Sequence, residues 1–116
     1  MNKSSFRKKL LFVCSRNRIR SLTAEKMYEG FPSCEVRSVG TQPDARIVIT
    51  EGHIGWADII FGMEKSHLER IRRKFPEAMQ DKWVICLNIP DEYEFMGDDL
   101  LDELSAKLGP YVPLPE

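Results

Sequence analysis

Cysteine is scarce in this 116-residue chain: Cys14, Cys34 and Cys86 stand far apart, and no Cys-x-x-Cys pair occurs. That excludes a disulfide framework and a cysteine-built zinc site. Histidine is scarcer still, with only His53 and His67, so neither a metal nor a cofactor is expected. No apolar run approaches the length of a membrane span, none being longer than that of residues 10–14. The net charge of −1 is too small for general nucleic-acid binding. Internal repeats, low-complexity stretches and linkers are also missing, which predicts a single domain over residues 1–116. Lys3, Arg7, Lys8 and Lys9 precede the apolar run and loosely imitate a secretion signal. That run is too short, however, and leads straight into polar residues, so a cytoplasmic protein is expected.

What is present is an ordinary apolar content of 42%, enough for a core, and a lopsided charge distribution. Residues 1–20 carry seven basic side chains and no acid, whereas residues 91–104 carry seven acids and no base. Short apolar blocks alternate with helical patterns. Leu10, Leu11, Phe12, Val13 and Cys14 read as a strand buried on both faces. Ala24, Met27, Tyr28 and Phe31 recur at helical spacing, and Gly30 and Pro32 stop that helix. Residues 34–39 predict a second strand closed by Gly40, and residues 41–46 a loop around Pro43 and Asp44. Thr50 is a candidate cap for a short helix through Trp56. Ile59, Ile60 and Phe61 form a third strand. Residues 64–74 predict a helix with Leu68 and Ile71 on one face, ended by Pro76, and His53 and His67 read as surface positions. Residues 83–87 are a fourth strand, with Trp83 assigned to the core. Leu100, Leu101, Leu104 and Leu108 mark a last amphipathic helix ended by Gly109. This order predicts an α/β fold with three layers, α/β/α, around a four-stranded parallel sheet. Ligands of such folds bind at the carboxyl ends of the strands, here after Cys14 and after Leu87.

The segment after the first strand reads Cys14, Ser15, Arg16, Asn17, Arg18, Ile19, Arg20, Ser21. Loop amides running into a helix start can converge on an oxyanion, forming a phosphate-binding loop after the first strand. Arg20 adds a planar fork matched to phosphate oxygens, and Arg16 and Arg18 are further candidate contacts. Such a site also suits a thiolate at Cys14, which can attack phosphorus in line.

Cys-x5-Arg-Ser at the end of a first strand resembles the low-molecular-weight protein tyrosine phosphatase family. Thr23, Ala24 and Glu25 continue that likeness, and Ser38 to Thr41, Trp56 to Phe61 and Met63–Glu64 extend it over most of the chain. No His precedes Cys14, and the motif lies near the N-terminus, which separates it from the dual-specificity tyrosine phosphatases. The resemblance implies a phosphomonoesterase acting through a cysteinyl-phosphate intermediate. In it Cys14 is the nucleophile, Arg20 holds the phosphoryl group, Ser21 donates to the thiolate, and Asn17 fixes an unusual turn of the loop. Ser15 to Ser21 together form the phosphate-binding residues. The resemblance also asks for an acid after the fourth strand that protonates the leaving phenolate and then activates water. Asp91 takes that place, with Asp98 and Asp99 as the other candidates. The implied ligands are a phosphorylated protein or a small aryl phosphate, and inorganic phosphate or another oxyanion. A monomer is expected, with no nucleic-acid or membrane partner.

Four departures from the family pattern stand out. Arg16 replaces a usual Gly, Ile19 replaces a frequent second Cys, and Glu92 replaces the proline of the acid loop. The connection between Gly40 and Thr50 is short, where family members place an aromatic wall of the phosphotyrosine pocket; Tyr93 and Trp56 are the candidates to replace it. These departures keep a second reading open, a catalytically degenerate module that binds phosphate or a phospho-ligand. Arsenate reduction is a third reading. It needs relay cysteines, for which only Cys34 and Cys86 remain.

Overall fold

The computed structural model describes residues 8–115. Lys3 and Arg7, part of the basic segment noted above, lie outside the described residues. In chain order the elements are β1 (Lys8–Cys14), α1 (Arg20–Tyr28), β2 (Cys34–Gly40), α2 (Glu51–Trp56), β3 (Ile59–Gly62), α3 (Lys65–Lys74), α4 (Pro76–Met79), β4 (Trp83–Cys86) and α5 (Asp98–Leu108). The four strands form one parallel sheet in the order β2-β1-β3-β4.

Strand β1 explains the layering by itself. Successive side chains of a strand point to opposite faces. Leu10, Phe12 and Cys14 therefore join Ala24 and Tyr28 of α1 and Leu100, Leu104 and Leu108 of α5 in one core. Leu11 and Val13 turn the other way and pack with Ile54 of α2, Leu68 and Ile71 of α3 and Met79 of α4. Both sets are almost wholly buried, which is why the run contains no polar residue. Phe12 stacks on Phe61 of β3 at 5.4 Å between ring centres, tying the two central strands on the α1/α5 face.

The chain leaves β1 toward β2, then crosses to the other side of β1 to make β3. The carboxyl end of β1 thus lies at the point where strand order reverses, the place where a crevice opens in this class of sheet. The segment following Cys14 fills that position.

Two expectations are corrected. Pro76 does not simply end a helix: it opens α4 as its first residue, a position where its missing amide hydrogen has no helical partner to lose. Trp83 is not a core residue. It begins the edge strand β4 and is 51% exposed, while Ile85, two residues on, is buried. Its apolar neighbours made it resemble a residue of a central strand. No helix among the described residues is long and apolar enough to cross a membrane.

Candidate active site

Cys14 ends β1 with its side chain buried, and residues 15–19 loop from it to the start of α1. The shape of this loop is set by a strap on its outer side. The amides of Thr41, Gln42 and Arg46 donate to the carbonyls of Cys14, Ser15 and Arg16 at 3.0, 2.9 and 3.0 Å. Arg46 Nε adds a bond to the Asn17 carbonyl at 3.1 Å. Four consecutive carbonyls are therefore turned toward residues 41–46. Across a planar trans peptide the carbonyl and the next N–H point opposite ways. The amides of residues 15–18 consequently face away from the strap, toward the cavity. Among the described residues the amides of Ser15, Arg16, Arg18 and Ile19 meet no protein acceptor. Asn17 N–H points at Cys14 Sγ, 3.3 Å away. The first turn of α1 contributes further unpartnered amides directly behind. This is a cradle of donors with a sulfur at its base.

The short connection after Gly40 is thus the element that holds the loop open. Gly40 itself is required for the approach. A Cβ there would stand 2.6 Å from the Ser15 carbonyl oxygen and 3.0 Å from the Arg16 carbonyl carbon.

Asn17 carries the turn, with φ at 58°, a left-handed conformation that Asn tolerates better than most residues. Arg16, which stands where Gly is usual in the resembled family, is not among the residues with positive φ. It fits without backbone strain and extends outward to Asp44, Nε to Oδ2 at 3.2 Å. Asn17 Nδ2 donates to Ser21 Oγ at 2.8 Å, and Ser21 Oγ lies 3.0 Å from Cys14 Sγ and 3.4 Å from the Val39 carbonyl. The hydroxyl has a single proton. It can donate to Val39 while Cys14 is a thiol, or to sulfur when Cys14 is a thiolate.

Arg20 is buried at the first position of α1. Its Nη1 pairs with Glu64 and donates to the Ile89 carbonyl at 2.9 Å. Its Nε lies 3.9 Å from Asp91 Oδ1. One nitrogen is spent on scaffold contacts, which fixes the plane of the guanidinium. Asp91, exposed on the segment after β4, reaches the mouth of the same cavity. Cys14, Ser15, Arg16, Arg18, Ile19, Arg20 and Asp91 line it, and its volume is about 140 Å³. That is room for a phosphoryl group and little more, well under the few hundred Å³ of a typical small-molecule site. Asp98 and Asp99 sit in the first turn of α5 and do not line the cavity.

Two participants escaped the sequence reading. Glu64 precedes α3 and anchors Arg20. His67, expected on the surface, is 97% covered, with a relative exposure of 3%. Its Nδ1 accepts the Glu64 N–H at 3.0 Å, and its Nε2 lies 3.0 Å from Ser15 Oγ. Burial, followed by the nearby Arg20 guanidinium, lowers its pKa to about 4. His53 occupies the same third helical position in α2, where its Nδ1 accepts the Thr50 N–H at 3.0 Å and the Thr50 hydroxyl accepts the His53 amide in return. Both histidines follow a helix-capping residue by three, a spacing the sequence contains and at which Glu or Gln is the usual signal. Cys34 is buried at the start of β2, and Cys86 Sγ contacts Asn88 Oδ1 at 3.3 Å.

Solved structures share this arrangement of strands and helices. The YwlE arginine phosphatase from Geobacillus stearothermophilus is 25% identical over 89% of this chain and 94% of its own, with a TM-score of 0.63. The tyrosine phosphatase Wzb from Escherichia coli K30, solved in complex with phosphate, is 22% identical over 90% and 95%, with a TM-score of 0.71. The fold is that of the low-molecular-weight protein tyrosine phosphatases. A member of that family from Streptococcus pyogenes superposes at a TM-score of 0.73 with 16% identity, over 91% of this chain and 94% of its own. Neither a protein-family model nor a curated protein sequence matches the chain. The phosphatase likeness therefore lies in the three-dimensional arrangement and in the few residues around the cradle.

Proposed function

We propose that the protein is a metal-independent phosphomonoesterase that cleaves aryl phosphates through a cysteinyl-phosphate intermediate. The observation that carries this reading is the cradle: cavity-facing amides of residues 15–18 and the Arg20 guanidinium surround Cys14 Sγ. Wzb and a relative from Vibrio vulnificus bind phosphate, sulphate or benzylphosphonate in their own structures, which supports an oxyanion as the ligand here.

In the first step the Cys14 thiolate attacks phosphorus, an S–P bond forms, and the P–O bond to the aryl group breaks. Asp91 gives its proton to the departing phenolate. The loop amides and Arg20 hold the charge on the equatorial oxygens. In the second step Asp91, now a carboxylate, takes a proton from water as the water oxygen attacks phosphorus. The S–P bond breaks, inorganic phosphate is released, and the Ser21 hydroxyl donates to the leaving thiolate. The two-role use of one carboxyl requires a group at the cavity mouth rather than inside it, which suits the exposed Asp91 near Arg20.

An aryl ester is preferred over a phosphorylated guanidinium, the substrate type named for the YwlE relative, because Arg18 lines the cavity. Among the described residues no carboxylate lies within 4.0 Å of the Arg18 guanidinium, which meets only the Asp44 carbonyl. This charge disfavours a cationic leaving group. We place the protein in the cytoplasm, acting as a monomer on a phosphorylated protein or a small aryl phosphate.

Asp91 is the residue to change. Asp91→Ala is expected to slow hydrolysis of an aryl phosphate with a poor leaving group by about 10²–10⁴-fold, the usual contribution of a positioned acid. With an activated leaving group such as a nitrophenolate, which needs no proton, the loss should shrink. Equal rates for native and variant protein on the poor leaving group would remove Asp91 from the mechanism. Phosphate binding without turnover of any ester by the native protein would instead establish the binding module.

A further inference from the structure

His67 and Ser15 come from distant parts of the chain and meet beneath the cavity, and neither is explained by the chemistry above beyond Ser15's place in the loop. The imidazole is neutral and its tautomer is determined by its neighbours. Nδ1 faces a backbone N–H of Glu64, which can only donate, so Nδ1 is the acceptor. In a neutral ring the hydrogen is then on Nε2. Nε2 therefore donates to Ser15 Oγ. A hydroxyl that accepts from His67 keeps its own proton free, and Ser15 lines the cavity. The charged groups around the ring are Arg20, Glu64 and Asp91, all belonging to the same site.

We propose that the Ser15 hydroxyl is a phosphate-binding donor in its own right and that His67 is the positioning residue that aims it. The relay runs from Glu64 N–H to His67 Nδ1, from His67 Nε2–H to Ser15 Oγ, and from Ser15 O–H to a phosphate oxygen. It rests on the oxyanion reading of the cradle. It adds to the loop amides one side-chain donor whose direction is set from α3, so that the start of this helix orients both Arg20, through its cap Glu64, and Ser15, through His67.

The test measures phosphate affinity without requiring turnover. Inorganic phosphate is titrated as protection of Cys14 against alkylation, read on the Cys14 peptide by mass spectrometry, so that Cys86 does not interfere. Ser15→Ala and His67→Leu are each expected to weaken protection by about tenfold, the size of one hydrogen bond to a charged group. The double variant should be no weaker than either single variant to within about twofold, because both substitutions break one relay. His67→Gln should recover most of the affinity, since a carboxamide offers an acceptor and a donor and Gln suits this helix position.

Unchanged affinity in Ser15→Ala, with native protein protected, would overturn the proposal and leave the cradle standing. Losses that multiply in the double variant would also overturn it, giving His67 a purely structural role. If His67→Leu does not fold, Ser15→Ala and His67→Gln alone decide the matter. No protection of the native protein at any phosphate concentration would defeat the oxyanion reading, and this proposal with it.

Discussion

At the scale of single residues, His67 links stability to the site. Burial and Arg20 lower its pKa from 6.5 to about 4. Between these values the unfolded chain binds a proton that the folded chain does not, so stability rises with pH across that window. The contribution is complete above pH 6.5 and is lost progressively as pH falls toward 4, the loss reaching about 3 kcal/mol there. Chemical denaturation of the native protein between pH 4 and 8 should show this slope, and His67→Gln should flatten it. An identical slope in the variant would assign the pH dependence to other groups. The residue was invisible to a reading of periodicity, because a histidine among Lys, Ser, Glu and Arg looks solvated. Its partner Ser15 lies 52 positions away, and only the fold brings them together. Asn17 was legible by contrast: its tolerance of a left-handed backbone is a local property, and the observed φ of 58° follows from it.

At the scale of elements, the connection between β2 and α2 acts as a strap. It is shorter than expected from the resembled family, and its amides hold the four carbonyls of the cradle. A Cβ at Gly40 would collide with the Ala45 Cβ and with the Ser15 and Arg16 backbone, none of which can rotate away. Gly40→Ala should therefore cost about 1–3 kcal/mol in stability, the range for forced overpacking. Phosphate affinity should fall along with it. Thermal unfolding and phosphate protection of Cys14, measured together, check both effects. A stable variant with native phosphate affinity would show that the strap does not shape the cradle. The sequence showed this segment only as a loop, since hydrogen bonds between two loops leave no periodic trace. Strands and long helices were readable for the opposite reason: β1 is apolar at every position because both of its faces are covered, and α5 repeats its leucines at helical spacing. Trp83 marks the limit of that logic. An apolar block signals burial, yet the first residue of an edge strand is exposed, and only the strand order reveals which strand is the edge.

At the scale of the whole molecule, the sheet brings opposite ends of the chain to one crevice. The basic first segment supplies Arg16, Arg18 and Arg20, and the acidic segment after β4 supplies Asp91. Of the two oppositely charged segments visible in the sequence, three arginines and one aspartate thus meet at a small cavity. Alternation of strands and helices made the sheet legible, and the position of Cys14 at the end of β1 made the cradle legible. The anchoring of Arg20 by Glu64 and the Ile89 carbonyl was not legible, because it joins the start of α1 to two loops that meet it only in the folded state. In the proposed reaction this crevice transfers a phosphoryl group to sulfur. The most direct test of that transfer is rapid quenching of the native protein during hydrolysis of an aryl phosphate, with a chelator present, followed by mass analysis of the Cys14 peptide. A phosphate group attached to Cys14 is expected during turnover, in an amount that increases in Asp91→Ala if breakdown of the intermediate becomes slower than its formation on an activated ester. Turnover that continues with Cys14 never phosphorylated, or that survives in Cys14→Ala, would contradict the proposed reaction.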